Sequence, residues 1–600
     1  MKIKKVSHVL GKNKLTWLPS HLLFFDTESY LKEVSKTVTE HHFRLGTAIY
    51  LRLEKNAEVK EKRKYRFKTQ DEFFTIVTSH LSQKKPLYVF ACNIWYDLRN
   101  TNLLPKLVDA GFQILTFINK SRVVIIHAKG KQGSIIFLDT LNYLPFSVAQ
   151  LGKKLGKGKL KADFERDSNQ KLMKYCMRDT EIITEAMLEW MRFIKRENLG
   201  LFSKSLASQA LNAFRHRFMK HRIVIHNKKH IAELERKAYF GGRTECFFMG
   251  KVNERPIYDL DVNSMYPYVM WKYEIPIRHS GYLENPSIEK LSRLLEKYCV
   301  IAQVEIETEK PYYPLRYKGK CIYPIGCFVT TLPTASLQRA LKNNHIKKVF
   351  KLAGYLKANI FKDYVDYFYK LKKQALEQGK KIDYILSKLF LNSLYGKFGQ
   401  RIDKVISAGA ITKPRWKREE IYYRETGKHT VLNFLGNRFE ELELNAEDGY
   451  NTFIAISAHV TDYARNVLLD YIETADWENV YYVDTDSLFV NEKGYEKLGP
   501  VLSETELGML KLEKKINDLE IFGLKDYRAD NTRKLKGIPV KAVKLKGNSY
   551  VVEIWPKPLS DLKEGIEKPY KTIKRVKVLK REYDKGIVTP TGRVLPLHFS

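Results

Sequence analysis

The sequence predicts an α/β protein of several domains, and three observations carry that prediction. Its 600 residues exceed what one hydrophobic core usually organises. Hydrophobic residues make up 44% of the chain, with 36 Tyr and 31 Phe, so there is ample material for folded cores. Between about 20 and 200, short apolar runs typical of strands alternate with helical stretches such as 170–195.

The predicted elements follow one another in a clear order. Strand-like apolar runs in the first third occupy 22–25, 87–90, 123–126 and 135–138. After about 250 come a second α/β region, a long helical stretch at 361–400 and a polar connection at 401–450. A helix and a short hairpin follow, and a very basic tail runs from 525 to 600. Because no internal repeat or low-complexity linker separates these parts, we expect them to pack together.

The charge balance indicates a polyanionic partner. There are 105 Lys and Arg against 68 Asp and Glu, a formal net charge of +37, and nucleic acid is the leading candidate. A basic surface without a specific partner is the alternative. Six scattered cysteines without a C-x-x-C pair argue against a zinc site or a disulfide framework and indicate a reducing compartment. No run of eighteen apolar residues occurs, so we expect no membrane partner and a cytoplasmic location, with an organellar one left open.

Two carboxylates stand at the tip of the predicted hairpin. Residues 480–483 and 488–490 are β-branched and aromatic runs, and Asp484 and Asp486 lie between them, separated by Thr485. Two anions this close on an apolar strand pair must be solvated, paired or bound to a metal. Taken alone, a polar turn on the surface is the more frequent explanation.

The first half carries a second set of acids. Asp26 and Glu28 follow a strand-like run, and a period of two puts them on one face at the end of a buried strand. Asp97 follows another such run, and Tyr175 and Asp179 share one face of a helical stretch. Carboxylates of this kind could converge on two Mg²⁺ ions that activate a water for phosphodiester hydrolysis. Each acid taken singly is more often a surface or capping residue.

In order, these stretches read Asp-x-Glu, Asn-x-x-Tyr-Asp and Tyr-x-x-x-Asp, and they resemble the exonuclease motifs of proofreading DNA polymerases with an RNase H-like exonuclease domain. The resemblance implies metal binding by Asp26, Glu28, Asp97 and Asp179. It gives Tyr175 the role of orienting the attacking water. Contacts to DNA are implied for Asn93, Tyr96, Thr140, Leu141 and Lys161. Cys92 departs from the His that relatives often carry before the Asn.

The second half supplies partners for the hairpin acids. Asp261 lies at the end of a strand-like run, before a turn that a proline stops. Lys388, Asn392, Tyr395 and Gly399 fall at i, i+4, i+7 and i+11, one stripe of a helix. A cation, an amide, an aromatic ring and a glycine replace the usual aliphatic residues there. The stripe therefore suggests a ligand surface, and a solvated helix face is the alternative.

These stretches resemble the family B DNA polymerase motifs Asp-x-x-Ser-Leu-Tyr-Pro, Lys-x-x-x-Asn-Ser-x-Tyr-Gly and Tyr-x-Asp-Thr-Asp, with Met265 in place of the usual Leu. The resemblance implies that two Mg²⁺ ions, or Mn²⁺, are bound by Asp261, the Val262 carbonyl, Asp484 and Asp486. It implies nucleotide contacts by Tyr266, Lys372, Lys388, Asn392 and Tyr395. In this reading Lys388 neutralises the triphosphate, Tyr266 excludes a 2′-OH, and Tyr395 lies against the nascent base pair.

Two shorter elements agree with that resemblance. Tyr239-Phe240-Gly241-Gly242 is similar to the Tyr-x-Gly-Gly element of the family, which contacts DNA. Lys525-Asp526-Tyr527 is similar to the Lys-x-Tyr motif that steadies the primer terminus. Beyond 525, Lys and Arg interleave with aromatic residues, which suits a thumb that grips duplex phosphates without reading sequence.

The resemblance implies a right-hand polymerase after the exonuclease domain. The expected parts are the exonuclease domain 1–200, a connector 201–250, palm with a first insertion 251–360, fingers 361–400, palm with a second insertion and the hairpin 401–525, and thumb 526–600. The insertions would lie near 276–360 and 401–450. Chain length and room for both insertions resemble the protein-primed polymerases of phages and linear plasmids.

We therefore expect a monomeric DNA-templated DNA polymerase with 3′→5′ proofreading that copies a viral or plasmid genome. Its partners would be template and primer DNA, dNTPs, a terminal protein for priming and a single-stranded-DNA-binding protein. One alternative is a family B polymerase of a mobile element that uses ordinary or self-made primers. Another is a non-catalytic nucleic-acid-binding protein, which would require the acids to be decayed.

Overall fold

The computed structural model describes residues 5–600, and its N-terminal region is built on a mixed sheet. In spatial order the strands of this region are Val38–Leu53, His21–Ser35, Leu87–Ala91, Gly133–Asp139, Val123–Gly130 and Gln113–Lys120, with Val59–Phe67 beside Val38–Leu53. Each of the four apolar runs predicted as strands lies within one of these strands, so that prediction is confirmed.

Helices cover the faces of this sheet. They are Gln70–Ser79, Ile94–Asn100, Leu103–Asp109, Val148–Lys154 and Asn169–Arg196, with a 3₁₀ turn at Thr140–Asn142. The helix predicted at 170–195 is confirmed, and the Ser168 side chain caps it by accepting a hydrogen bond from the Lys171 amide. Its buried face carries Trp190, which stacks on Phe390 of the second half at 5.5 Å. The two halves therefore share a core.

An antiparallel sheet forms the centre of the second half. In spatial order its strands are Thr244–Cys246, Val480–Asp484, Ser487–Val490, Ile257–Val262 and Leu510–Ile516. The hairpin predicted around residues 484–487 is confirmed. The helix Met265–Lys272 begins three residues after the strand Ile257–Val262. We expected a turn that Pro267 stops, which is wrong, because a proline in the first helical turn loses no intrahelical hydrogen bond.

The remaining helices of the chain surround the central sheet and its neighbours. They are Leu206–Ala213, Phe214–Phe218 (a π-helix), Lys229–Ala238, Ile288–Lys297, Thr334–Lys342, Lys362–Glu377, Lys381–Ser393, Ile454–Ala475, Glu492–Lys497 and Pro558–Glu564. Short 3₁₀ turns occupy Tyr395–Gly399, Trp477–Asn479 and Gly499–Val501. In the described part of the chain, 5–600, no helix combines the length and apolar character that crossing a membrane requires.

The stretch expected as one helical region at 361–400 is interrupted twice. Its first helix ends at Glu377, and the second ends at Ser393. Gly379 takes a positive φ of 67° between the two helices, a conformation that favours glycine. The predicted continuous stripe from Lys388 to Gly399 is therefore wrong in its last part, where a 3₁₀ turn replaces the α-helix.

Two segments lie where the insertions are expected. Segment 276–360 supplies the middle of a further sheet, whose first two strands and last strand come from elsewhere in the chain. In spatial order its strands are His8–Val9, Val224–Ile225, Ile275–Glu284, Ile346–Ala358, Cys299–Thr308, Ile325–Pro333 and His598–Phe599. A small hairpin lies beside it, Leu315–Tyr317 with Lys320–Ile322. The polar connection expected at 401–450 is instead a long antiparallel ribbon of Arg401–Tyr423 with Lys428–Asp448. Most of its polar side chains are at least partly exposed, whereas Arg418, Thr430, Asn433 and Glu440 are buried.

The C-terminal part continues sheets formed earlier in the chain. A sheet beside the centre contains Gly250–Lys251, Leu519–Gly523, Asp526–Ala529 and Thr532–Lys534. The strands Val543–Lys544, Ser549–Ile554 and Tyr570–Val578 extend the N-terminal sheet, and Gly586–Val588 pairs with Val594–Pro596. Tyr570 to Ile573 pair with His41 to Val38. Residues 526–600, expected as one thumb, are therefore distributed over several sheets.

Candidate active sites

One candidate site lies on the strand His21–Ser35. Asp26 and Glu28 share a face of this strand, and ligand atoms of Asp26, Glu28 and Cys176 lie within 4.8 Å of one another. The expectation that the strand ends at these acids is wrong, because it stays paired with its antiparallel neighbour as far as Ser35. The Cys176 thiol donates a hydrogen bond to the Asp26 carbonyl at 3.2 Å, so it ties the helix to the strand.

Burial makes this cluster costly without cations. Burial and the charge of Asp179 raise the pKa of Asp26 to about 8, and burial and Asp26 raise the pKa of Glu28 to about 9. Burial also raises the pKa of Asp97 and of Asp179. Among residues 5–600, nothing donates a hydrogen bond to the buried Asp179 Oδ1. An oxygen-rich donor set with an unpartnered buried oxygen fits hard divalent cations such as Mg²⁺ and Mn²⁺.

Asp97 is fixed from behind by the strand that carries the first two acids. The Thr27 amide and hydroxyl donate to Asp97 Oδ1 at 3.0 and 2.6 Å, and Asn100 Nδ2 donates to the Thr27 hydroxyl at 2.9 Å. The Tyr96 hydroxyl shares a hydrogen bond of 2.7 Å with Ser29 Oγ. The short helix of Asp97 is thus held against the strand at both Asp97 and Asn100.

A lysine that sequence reasoning missed completes the cluster. Lys159 Nζ donates to Asp179 Oδ2 at 2.5 Å and lies 4.8 Å from the centre of the Tyr175 ring. Burial opposes the charge of Lys159, but the Asp179 carboxylate outweighs it and raises the pKa of the lysine. Lys161, to which the resemblance gave a DNA contact, is exposed, and that role stays a prediction. Lys157, Lys159 and Lys161 alternate in sequence, so only packing distinguishes them.

Two of the predicted DNA-contacting residues of this half, Asn93 and Leu141, meet at one buried carboxylate. Asp139 accepts hydrogen bonds from the Asn93 and Ile94 amides at 3.1 Å and from the Leu141 amide at 2.9 Å. Burial raises the pKa of Asp139 to about 6, although these three amides oppose the shift. Asn93 is exposed at a positive φ of 61°, whereas Thr140 is buried. Asp139, another residue that sequence reasoning missed, therefore joins the two predicted DNA-binding stretches.

The second candidate site lies on the central sheet. Asp261 pairs with Ser487 across one strand interface, and Asp484 pairs with the same Ser487 across the other. The Val262 amide donates to the backbone carbonyl of Asp486 at 2.7 Å. The fold thus brings Asp261 and Val262 next to Asp484 and Asp486, although the two pairs are far apart in sequence.

The three acids of this site differ in their surroundings. Burial and the charge of Asp486 raise the pKa of Asp261 to about 7, and burial also raises the pKa of Asp486. Lys525 Nζ lies 3.3 Å from Asp484 Oδ1, and Lys534 Nζ lies 3.8 Å from Asp484 Oδ2. The lysines therefore compensate Asp484, and the donor set around Asp261 and Asp486 fits divalent cations. Lys534 was not singled out from sequence, because it is one of many lysines in a basic tail.

The predicted nucleotide-binding residues flank this sheet. Lys388 and Asn392 are exposed, one helical turn apart, on Lys381–Ser393. Tyr395 follows in the 3₁₀ turn, and its ring stacks on Tyr266 with centroids 4.6 Å apart and 23° between planes. Tyr395 therefore reaches Tyr266 from the 3₁₀ turn that follows the helix, and not from the helix itself.

Two further predicted contacts lie close by. Lys372 Nζ donates to Ser264 Oγ at 3.4 Å, and burial lowers the pKa of this lysine. The Tyr527 ring packs against Tyr482 and Phe489 of the hairpin, with centroids 5.7 and 5.3 Å apart. Both predicted residues thus contact elements that carry the acids.

The glycine pair supports the hairpin turn unequally. A Cβ on Gly242 would lie 2.7 Å from Thr485 Cγ2, closer than real Cβ contacts, whereas Gly241 faces open space. The Thr485 amide donates a hydrogen bond to the carbonyl of Arg243, the residue after Gly242, at 2.7 Å. A Cβ on Gly399 would likewise lie 2.6 Å from the Tyr239 ring. The element therefore forms a backbone support for the turn between the two hairpin acids.

We expect Gly242→Ala to reduce primer extension roughly a hundredfold, because the added methyl displaces Thr485 and the acids on either side of it. Gly281→Ala, where the added Cβ would meet open space on the strand Ile275–Glu284, is the control and should stay within about twofold of wild type. Steady-state primer extension, with thermal unfolding as a check on folding, measures both. Equal activity of the two variants would contradict the supporting role of Gly242.

Comparisons with known proteins agree with this geometry. A family model described as DNA polymerase type B, organellar and viral, matches residues 157–476, more than half of the chain. A "Probable DNA polymerase" of Neurospora intermedia is 26% identical over 440 residues, 70% of this chain and 43% of that protein. The "DNA-directed DNA polymerase" of Enterobacteria phage PRD1 is 28% identical over 309 residues, 50% of this chain and 51% of that protein. The chain thus spans about half the length of these relatives, or less.

A solved structure shares the fold. The phi29 DNA polymerase complexed with primer-template DNA and incoming nucleotide substrates superposes with a TM-score of 0.65 at 16% sequence identity. The match covers 94% of this chain and 100% of that one. The predicted fold class, an RNase H-like exonuclease domain with a right-hand palm, fingers and thumb, is therefore confirmed.

Proposed function

The chain belongs to the organellar and viral type B DNA polymerases, and from that premise we propose that it is a DNA-templated DNA polymerase with 3′→5′ proofreading. One observation carries the proposal: two acid clusters lie on two different sheets of one chain. One cluster borders an exposed Lys and a tyrosine pair, as nucleotide addition requires. The other borders a lysine and an exposed Asn, as hydrolysis of a strand end requires.

In the polymerase site, Asp261, Asp486 and the Val262 carbonyl would hold the cations, with Asp484 beside them. Lys388 is exposed on the helix that faces this cluster and would neutralise the triphosphate. The stacked pair of Tyr266 and Tyr395 forms a flat surface for the sugar and the base.

In the exonuclease site, Asp26, Glu28, Asp97 and Asp179 would hold the cations. Divalent cations bound at the two sites would supply activation of the attacking oxygen and screening of the phosphate charge. Lys159 holds Asp179 and Tyr175 in place, so that Tyr175 can orient the attacking water. Asn93 is exposed beside the cluster and would contact the frayed 3′ strand.

We further propose that priming uses a terminal protein. The segments 276–360 and 401–450, where protein-primed polymerases carry insertions, form a sheet and a long ribbon attached to the central part. Such surfaces suit a protein partner as well as duplex DNA, and the net charge of +37 suits both template and primer.

The experiment supplies template, one labelled dNTP, Mg²⁺ and a candidate terminal protein, without an oligonucleotide primer. We expect label attached covalently to the terminal protein, measured by denaturing gel electrophoresis. Asp486→Ala is the control and should give none. Label only when an oligonucleotide is present would contradict protein priming and favour ordinary primers, while leaving the polymerase assignment intact.

A further inference from the structure

The short exonuclease helix Ile94–Asn100 is anchored by residues from the far end of the chain. Arg99 Nε donates to Asp561 Oδ2 at 2.6 Å, and its two terminal nitrogens donate to the carbonyls of Ile566 and Lys568 at 2.9 and 2.8 Å. Trp95, on the same helix, donates its indole N–H to Asp561 Oδ2 at 2.9 Å. The three groups that accept from Arg99 thus belong to residues 549–578, here called the C-terminal segment.

This anchor is buried. The side chains of Arg99 and Asp561 are 5% and 8% exposed, so both charges have lost nearly all contact with water. A buried guanidinium is costly unless its donors are paired, and a planar fork satisfied by three acceptors fixes the geometry tightly. If the C-terminal segment moved away, Arg99 would lose all three of its hydrogen-bond acceptors, including the only carboxylate among them. The exonuclease region therefore depends on this segment for its internal balance of charge.

The same segment is joined to the N-terminal sheet along its backbone. Tyr570 to Ile573 pair with His41 to Val38 on the strand next to the one that carries Asp26 and Glu28. The segment also reaches the polymerase half, because Leu562 and Ile566 pack in one apolar cluster with Trp416 of the long ribbon. It is thus wedged between the exonuclease helix and the ribbon.

The anchored helix carries two predicted exonuclease residues. Asp97 lies two residues before Arg99, and Asn93 lies at the start of the helix. Hydrogen bonds of Asp97 and Asn100 to Thr27 hold one side of the helix against the strand that carries Asp26 and Glu28. Hydrogen bonds of Trp95 and Arg99 to Asp561 hold its other side. A helix of this length moves as one body, and a shift of that other side would carry Asp97 and Asn93 with it.

We propose that the C-terminal segment completes the exonuclease site, and that Asp561 is a positioning residue acting through Arg99 and Trp95. The inference rests on the proposed exonuclease function. None of these three residues is placed in contact with the reacting atoms. Their role is to hold Asp97 in register with Asp26 and Glu28, and to tie that register to the ribbon of the polymerase half.

The test uses Asp561→Asn in the full chain, which keeps the shape of the side chain and removes its charge. We expect kcat for degradation of single-stranded DNA to fall at least roughly tenfold with little change in KM, because misplacement of a ligand slows the reaction rather than binding. Primer extension should stay within about twofold. Hydrogen exchange of the backbone amides in Ile94–Asn100 should become faster, while that of the helix Ile454–Ala475 stays unchanged.

Two further variants make the test decisive. Lys563→Ala, in the same helix but paired to Glu420 at an exposed position, is the matched control and should leave degradation unchanged. Arg99→Lys keeps the charge but cannot reach three acceptors at once, so it should reduce degradation selectively and less severely than Asp561→Asn. It therefore replaces Asp561→Asn in the test if that variant folds poorly.

Wild-type degradation and wild-type hydrogen exchange in Ile94–Asn100 for both variants would overturn the proposal. An equal loss of extension and degradation would also overturn it, since that result indicates general unfolding. If the wild-type chain does not degrade DNA at all, the proposed exonuclease function fails. The positioning role is then decided by the hydrogen-exchange comparison, which does not depend on activity.

Discussion

Asp486→Ala should lower the rate of primer extension at least roughly a thousandfold and leave degradation of single-stranded DNA near the wild-type rate. Asp486 lies in the hairpin turn beside Asp261, and both carboxylates belong to the donor set proposed for the cations. Losing the cations removes several kcal/mol of transition-state stabilisation, and about 4 kcal/mol corresponds to a thousandfold in rate. The exonuclease cluster lies on another sheet and should be unaffected.

The measurement is extension of a labelled primer–template in Mg²⁺ with all four dNTPs. Glu513→Ala is a matched control, since it also removes a negative charge that raises the pKa of Asp261 but is not a proposed ligand. It should retain extension within a few-fold. Loss of both extension and degradation in Asp486→Ala would show that the two activities are not divided between the clusters as proposed.

The second large effect is expected from replacing Asp26 and Glu28 together with Ala. Both acids carry strongly raised pKa values because they are buried close to other carboxylates, and bound cations would favour their charged forms. Their removal should reduce 3′→5′ degradation at least roughly a thousandfold, with extension of a matched primer within about twofold. Release of nucleotides from labelled single-stranded DNA measures the loss.

Glu33→Ala provides the control for this double variant. Glu33 is an exposed acid on the same strand, outside the cluster, and its removal should leave degradation unchanged. Undiminished degradation by the double variant would remove Asp26 and Glu28 from the exonuclease site.

Asp26, Glu28 and Asp261 could be located from sequence because each lies on an apolar strand whose period fixes the direction of its side chains, whereas Asp179 was located by the period of a helix. The hairpin at Asp484 and Asp486 was predictable for the same reason. The contact of Lys159 with Asp179 and Tyr175 was not predictable, because Lys157, Lys159 and Lys161 alternate in sequence and only the packing of their loop against Tyr175 distinguishes them.

The pairing of strands that are distant along the chain could not be predicted from the sequence. The ribbon that contains Trp416 and the strand Tyr570–Val578 are rich in charged residues, so their local pattern does not show which strand they join. The C-terminal strand pairs with residues more than five hundred positions earlier, as the contact of His41 with Thr572 shows.

One measurement tests the division of labour most directly. A labelled primer with a mismatched 3′ end, annealed to template, is incubated with Mg²⁺ and dNTPs, and product lengths are followed over time. Wild type should first shorten and then fully extend the primer, Asp486→Ala should only shorten it, and the Asp26/Glu28 double variant should leave it largely unprocessed. Shortening by the double variant, or extension by Asp486→Ala, would contradict two separate sites on one chain.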